Sequence, residues 1–466
     1  MVSQPKESQM SYLRLKGSNS MKILHVLANS YPNLNGYAVR SHMLIKSQSQ
    51  IKDLSVIALT SPWYPNIVEM QTRFQMDSIT YFRTQHPNHV SNERLSHKLV
   101  SKFSRKKNID KKKNKYLAVR AIKYGINKSM LIPRIGWLWV EEKILVKHFM
   151  KRIIQLSTLE NVDVIHAHTP YRVGLPALKA ARKLNLKFVY EMRGLWEDTA
   201  VASGRWKSWG LSYRRFRRME TKILKQSDKI ICISETLRKE VISRGIASEK
   251  ISVVSNGVES TISDRPQVEL PNLFTDLKEK LDSNIVVGYI GSLRKLEGVN
   301  LTAEAVSILK RNGINVKFLI LSTNSGQDEL RTYCDNLGIS ENTIIEGPVP
   351  HESISPFFNL IDVFVVSRPD SRVTRLVTPL KPFEAMSNRC ATIVSNLPAL
   401  EEIVKHEETG LVYKADNANS LAENISRLIK NPELRQELGL NAEKWIKEHR
   451  IWKQLAEKTV SIYRSV

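Results

Sequence analysis

Cysteine is scarce in this sequence of 466 residues: Cys232, Cys334 and Cys390 are the only three, and they lie far apart. That excludes a disulfide framework and a cysteine-based zinc site, and fits buried thiols in a reducing cytosol. Long apolar runs are lacking too, none approaching the ~18–20 residues that span a bilayer. The N-terminus shows no apolar core followed by a small-residue cleavage site, so a secretory leader is not expected. Several common catalytic signatures are also missing. There is no Gly-x-x-x-x-Gly-Lys-Ser/Thr, no Gly-x-Gly-x-x-Gly after the first strand, no Gly-x-Ser-x-Gly and no His-Glu-x-x-His. These absences count against P-loop, dinucleotide, acyl-transfer and zinc-hydrolase chemistry. What remains, 42% hydrophobic and 25% charged residues, is the profile of a globular chain of two or three domains.

Acidic side chains are what the first half lacks most. Residues 1–250 hold 46 basic and 18 acidic residues, whereas residues 251–466 hold 25 and 28. A positive excess confined to one half suits a polyanion: nucleic acid, an anionic membrane surface or a phosphorylated ligand. The excess peaks over residues 101–150, with 14 basic and 3 acidic side chains followed by Met130-Leu-Ile-Pro-Arg-Ile-Gly-Trp-Leu-Trp-Val140. Lys and Arg beside Trp, Leu and Ile fit a membrane interface. A solvated loop leading into a core helix fits equally. Nucleic acid is not expected, because no helix-turn-helix, RNP or zinc-finger pattern accompanies the charge.

Short Val- and Ile-rich runs alternate with amphipathic, helix-like stretches such as Gly174–Leu184, Arg205–Lys225 and Gly298–Lys310. The runs are Lys22–Ala28, Leu54–Thr60, Val162–His166, Lys187–Met192, Lys229–Ser234, Ile251–Ser255, Ile285–Gly291, Val316–Ser322, Ile361–Val366 and Thr392–Ser395. This is the pattern of an α/β fold with parallel sheets covered by helices. The series runs twice around a poorly patterned linker at Asn256–Leu281. The expected division is a disordered tail (1–20), a first domain (21–260) and a second (261–445). A C-terminal helix over 446–466 is expected to return to the first domain. In such sheets ligands collect at the carboxyl ends of strands.

The strand-end loops carry the polar residues. Asn35-Gly36 precedes a helix, where a glycine lets backbone N–H groups approach an anion. His166-Ala-His168-Thr-Pro-Tyr171 follows a strand. Its two histidines have no third metal ligand nearby in sequence and suit hydrogen bonding at a cleft or packing. Glu191-Met-Arg-Gly-Leu-Trp-Glu-Asp198 puts four charges directly after an apolar strand. Interior charges there face a ligand or pair with one another, and the ligand is the preferred reading. Gly288-Tyr-Ile-Gly-Ser-Leu-Arg294-Lys295 offers two cations at a strand end. The most specific loop runs from Arg372 to Ser387. In it Lys381 and Pro382 open a helix, and Glu384, one turn in, offers two acceptors for ribose hydroxyls.

On these motifs, with Ile251-Ser-Val-Val-Ser-Asn-Gly-Val258 and Val377-Thr-Pro-Leu-Lys-Pro-Phe-Glu-Ala-Met386, the chain from Met21 onward resembles the family 4 glycosyltransferases. The bacterial exopolysaccharide and lipid-linked glycan subgroup is the nearest likeness. The resemblance implies a GT-B fold, two facing Rossmann-like doubly wound domains with an interdomain cleft and C-terminal helices. It implies a retaining transferase using a UDP- or GDP-linked sugar, with no cofactor and no metal. The acceptor would be a glycan or a polyprenyl-diphosphate-linked glycan. The enzyme would be cytoplasmic, peripheral at the inner face of the cytoplasmic membrane, with the basic half on the anionic surface. Implied catalytic residues are Glu191, Arg193, Arg294 and Lys381. Gly36, Ser292, Arg294, Arg368, Val377, Thr378, Leu380, Lys381 and Glu384 would bind the donor. His166, His168, Tyr171 and Trp196 would line the acceptor side. Leu376 stands where many members have Glu, and Glu297 where many have Lys. Two alternatives stay open: a nucleotide-sugar 2-epimerase, and a noncatalytic polyanion- or membrane-binding protein of the same fold.

Overall fold

The structure, a computed structural model, describes residues 20–33, 35–63, 72–87, 131–262, 272–349 and 353–466, with the backbone alone for 131–138. The expected tail, except Ser20, and residues 101–130 of the basic segment lie outside the described residues.

The first half holds β1 (Met21–Leu27), β2 (Leu54–Thr60), β3 (Arg73–Met76), β4 (Ile79–Arg83), β5 (Val164–His168), β6 (Lys187–Met192), β7 (Lys229–Cys232) and β8 (Ile251–Val253). Its helices are α1 (Gly36–Ser49), α2 (Leu131–Leu159), α3 (Tyr171–Leu184), α4 (Trp196–Ala202), α5 (Leu211–Gln226) and α6 (Glu235–Ser243). The second half holds β9 (Val286–Ile290), β10 (Lys317–Leu321), β11 (Thr343–Glu346), β12 (Val363–Val366), β13 (Ala391–Ser395) and β14 (Leu411–Tyr413). Its helices are α7 (Asn272–Leu281), α8 (Val299–Arg311), α9 (Gln327–Asn336), α10 (Arg372–Leu376), α11 (Lys381–Ser387), α12 (Pro398–Glu401), α13 (Ala418–Lys430), α14 (Pro432–His449) and α15 (Trp452–Arg464).

The strands form two sheets, ordered β3-β4-β2-β1-β5-β6-β7-β8 and β11-β10-β9-β12-β13-β14. Every pairing is parallel except β3 with β4. Helices cover both faces, so the strands read as continuous apolar runs. Leu24, Val26, Ile165, Phe188 and Tyr190 point to one face of the first sheet, and Ile23, Val164, Val189 and Ile231 to the other. Local chemistry sets the helix starts. The Asn35 side chain accepts from the N–H groups of Tyr37 and Ala38 at α1, and Ser234 accepts from Leu237 N–H at α6.

In each sheet the strand order reverses at one place, between β1 and β5 and between β9 and β12. The loops at these switch points are where a doubly wound sheet binds its ligand. They approach one another across the halves. A methyl group built on Gly36 would sit 3.5 Å from Leu380 Cδ1, and one on Gly194 would sit 3.8 Å from Val377 Cγ1. Asn256 Nδ2 donates to the Thr378 carbonyl (3.2 Å), and Glu402 accepts from the N–H groups of Glu235 and Thr236.

The chain passes between the halves at two points, and these pair with each other. Val258 N–H donates to the Arg450 carbonyl (2.8 Å), and Trp452 N–H donates to the Val258 carbonyl (2.9 Å). Beyond the second pass, α15 lies against α1 and places Trp452, Leu455, Val460 and Tyr463 in the core of the first half.

Three sequence readings need correction. The linker expected over Asn256–Leu281 contains α7, whose Phe274, Leu277 and Leu281 are buried. The single helical stretch read over Arg205–Lys225 is a loop followed by α5, which starts after Gly210. Strands β3, β4, β11 and β14 were not anticipated; none exceeds five residues, and β3, β11 and β14 are sheet edges.

Candidate active site

The donor-side residues expected from the sequence converge at the β9–β12 switch point. Ser292 and Arg294 follow β9, Arg368 follows β12, and Lys381 opens α11. Glu297 joins them. It is 1% exposed, and its Oε1 accepts from Arg294 Nη2 at 2.9 Å. Its Oε2 lies 3.0 Å from Lys381 Nζ and 3.6 Å from Arg368 Nε. Burial alone would raise this carboxyl, but Lys381, Arg368 and Arg294 outweigh burial and hold its pKa at about 2. One carboxylate therefore gathers three cations. The Lys381 stem crosses Gly291 so closely that a methyl there would meet Lys381 Cε at 2.1 Å. Its ammonium stands 5.6 Å from the centre of the Tyr289 ring.

The Val377–Leu380 loop is shaped from both sides. Arg368 Nη1 donates to the Val377 carbonyl (2.9 Å), and Asn256 holds Thr378 from the first half. Leu380 faces Gly36. Glu384 sits half-buried in the first turn of α11. Gly36, Val377, Thr378, Leu380, Lys381, Ser292, Arg294, Arg368 and Glu384 thus belong to one region of the cleft.

The first-half residues lie differently from expectation. Glu191 is fully buried and faces protein. Its Oε1 accepts from Arg40 Nε and Arg193 Nε, both at 2.9 Å. Burial would raise its pKa, but Arg193 and Arg40 hold it well below the usual range. The charge cluster is therefore an ion-pair network, the reading not preferred from sequence. Arg193 is also largely committed: its Nη1 donates to Ser41 Oγ (2.6 Å) and the Tyr37 carbonyl (3.2 Å) of α1, while its buried Nη2 has no aligned acceptor.

His166 and His168 are both fully buried, beneath the cleft rather than lining it. The third histidine that the local sequence does not supply comes from β1. His25 Nδ1 bonds His168 Nε2 (3.0 Å), and His25 Nε2 bonds Gln48 Oε1 (2.8 Å). Gln48 Nε2 donates to the Tyr463 hydroxyl (3.1 Å), which bonds His166 Nδ1 (2.6 Å). His166 Nε2 and His168 Nδ1 come within 3.3 and 3.1 Å of Glu191 Oε2 without hydrogen-bond alignment. The result is a ring of polar groups inside the core, hydrogen-bonded from His168 through His25, Gln48 and Tyr463 to His166 and completed by the unaligned approach of both ends to Glu191. Burial lowers the pKa of all three histidines; His166 adds to this at His25, and Arg193 at His168. The three are the one group among the described residues whose ligand atoms lie together within metal-binding reach. With Arg40 and Arg193 on Glu191, the charge around them is positive, and His25 Nδ1, His25 Nε2, His168 Nε2 and His166 Nδ1 are taken up in hydrogen bonds to one another, Gln48 and Tyr463.

Tyr171 is buried as well. Its hydroxyl donates to Glu142 and accepts from Arg215, joining α2, α3 and α5 away from the cleft. Trp196 is 37% exposed at the start of α4. His166, His168 and Tyr171 are therefore corrected from acceptor contacts to core groups, since a fully covered side chain presents nothing to a ligand.

Sequence reasoning missed Arg40, Asn256 and Tyr463, and the organising place of Glu297. Arg40 lies 151 residues from Glu191 and Tyr463 lies 297 residues from His166, so no local spacing signals either contact.

Two doubly wound, mainly parallel sheets with facing switch points are the GT-B architecture. Residues 128–261 match the Glycosyltransferase Family 4 domain, and residues 274–445 match the Glycosyl transferases group 1 domain. The chain belongs to the family 4 glycosyltransferases and is a transferase enzyme. It is similar to a capsular polysaccharide biosynthesis glycosyltransferase of Staphylococcus aureus, 27% identical over 66% of this chain and 79% of that protein. An uncharacterized glycosyltransferase of Methanocaldococcus jannaschii is 24% identical over 68% of this chain and 78% of its own. In fold it matches sucrose-phosphate synthase of Thermosynechococcus elongatus, with a TM-score of 0.65 and 15% identity. That match covers 96% of this chain and 98% of the synthase. The Anabaena protein HepE, solved with UDP-glucose, matches with a TM-score of 0.63 and 14% identity over 96% and 100% of the two chains.

Proposed function

We propose that the enzyme transfers a sugar, with retention of anomeric configuration, from a nucleotide-diphosphate sugar to a glycan or polyprenyl-linked acceptor in surface polysaccharide synthesis. The observation that carries this is the cluster of Arg294, Arg368 and Lys381 at the β9–β12 switch point, next to Leu380, which faces Gly36 across the cleft. Cations fixed beside the departing diphosphate stabilise the charge that develops as the sugar C1–oxygen bond breaks. The acceptor oxygen then bonds C1 on the same face, and its proton passes to an oxygen of the leaving diphosphate. That route needs no protein nucleophile, in keeping with an internally paired Glu191. The name of the Staphylococcus relative supports a role in polysaccharide synthesis, and the UDP-glucose complex of HepE supports a nucleotide-sugar donor.

Calorimetric titration with UDP and with GDP tests the reading. The wild-type protein is expected to bind one of them, and Glu384→Ala to weaken that binding roughly tenfold, or ~1.4 kcal/mol. A folded wild-type protein that binds neither would overturn the donor site.

A further inference from the structure

The carboxylate that gathers the three donor-side cations has no ligand role of its own, because its side chain is covered. Its position nevertheless fixes where those cations stand. Arg294, 60% exposed, is tied by one oxygen, whereas Lys381 and Arg368 share the other. Arg368 Nε is buried without an aligned acceptor, as is Glu297 Oε2 without an aligned donor. The local charge is also specific. Three cations around one carboxylate leave two positive charges. The diphosphate of an intact sugar nucleotide carries two negative charges. Once the sugar has left, the terminal phosphate titrates near pH 6, and the nucleoside diphosphate carries close to a third.

We propose that Glu297 is a positioning and charge-setting residue of the donor site: it orients Arg294, Arg368 and Lys381 and caps their net charge at the value of the intact sugar nucleotide. This rests on the donor reading given above. By this account, removing the carboxylate favours the released nucleoside diphosphate over the donor. Exchanging Glu297 with Lys381 preserves the count, because the two charges lie 3.0 Å apart and simply trade places.

Two calorimetric measurements test it, each on variants whose melting curves show a folded protein. The probes are UDP, UDP-glucose, GDP and GDP-mannose. For Glu297→Gln, the ratio of sugar-nucleotide Kd to nucleoside-diphosphate Kd is expected to rise at least fivefold. A residue that served only to hold the fold would leave that ratio unchanged. For Lys381→Glu, where the cluster charge falls to zero, nucleotide affinity is expected to drop 100-fold or more. The exchange E297K/K381E is expected to recover it to within tenfold of wild type. A constant ratio in folded Glu297→Gln, or an exchange variant no better than Lys381→Glu alone, would overturn the proposal while leaving the donor site standing. Wild-type protein that binds none of the probes would overturn both.

Discussion

Buried acids and bases in the first half pull stability in opposite directions with pH. Glu220 is fully buried and accepts from Tyr171 N–H (2.8 Å) and the Tyr190 hydroxyl. Burial, with Glu197 nearby, pushes its pKa up to about 7. The folded state then holds a proton that the unfolded chain releases near the usual 4.5. The contribution is whole below pH 4.5 and is lost as pH rises through 7, on the order of 3 kcal/mol. The histidines behave oppositely. Their pKa values are lowered, so their contribution is present above about 6.5 and is lost as pH falls below it. Denaturant midpoints of wild type and Glu220→Gln between pH 4.5 and 8 separate the two. The variant is expected to gain on wild type steadily as pH rises; a flat difference would show that Glu220 is ionised throughout. At this scale the sequence disclosed composition more than orientation. The charges around Glu191 were visible, but whether they faced a ligand depended on Arg40, which only the fold brings to them. Glu384 and Lys381 were legible because their own short motif determines where they stand.

Among the elements, the strands were the most legible, since a strand covered on both faces is apolar at every position. Helix ends were less so: α5 starts later than its charge pattern suggests because Gly210 and the preceding turn interrupt it. The start of α8 shows how tightly one element can depend on a single backbone angle. Gly298 takes φ +69°, and a methyl group there would stand 1.8 Å from the Ser367 carbonyl oxygen. Gly298→Ala is therefore expected to cost roughly 1–3 kcal/mol for the left-handed backbone, with the collision added. At about 2–4 °C per kcal/mol for a domain of this size, the thermal midpoint should drop by several degrees. The variant should also weaken nucleotide binding, because Glu297 is the neighbouring residue. An unchanged midpoint would mean that Ser367 gives way.

The charge division of the whole molecule was readable from composition, since it needs no geometry. No helix among the described residues is long and apolar enough to cross a membrane. The membrane contact expected from the sequence would be electrostatic, through the basic first half. Trp139, Val140 and Ile144 of α2 are exposed, whereas Leu145, Val146 and Phe149 pack inward, so the helix joins the core and also presents an apolar face. Glutamine at Arg105, Lys106, Lys107, Lys111, Lys112 and Lys113 should sharply reduce co-sedimentation with anionic vesicles, as each basic residue contributes about 1 kcal/mol near such a surface. Binding that persists unchanged in the variant would remove this segment from the account.

The way α15 crosses back was expected from the apolar spacing and the family likeness, but its partners were not. Tyr463 closes the polar ring that His25, Gln48 and His166 begin. A ribosome makes those three residues early; Tyr463 follows His166 by 297 residues and Gln48 by 415. During synthesis the first half must therefore wait, with His166 and Gln48 lacking their Tyr463 partner and the α1 surface uncovered, until the second half and α15 have emerged. The half that is made first is the half that is finished last.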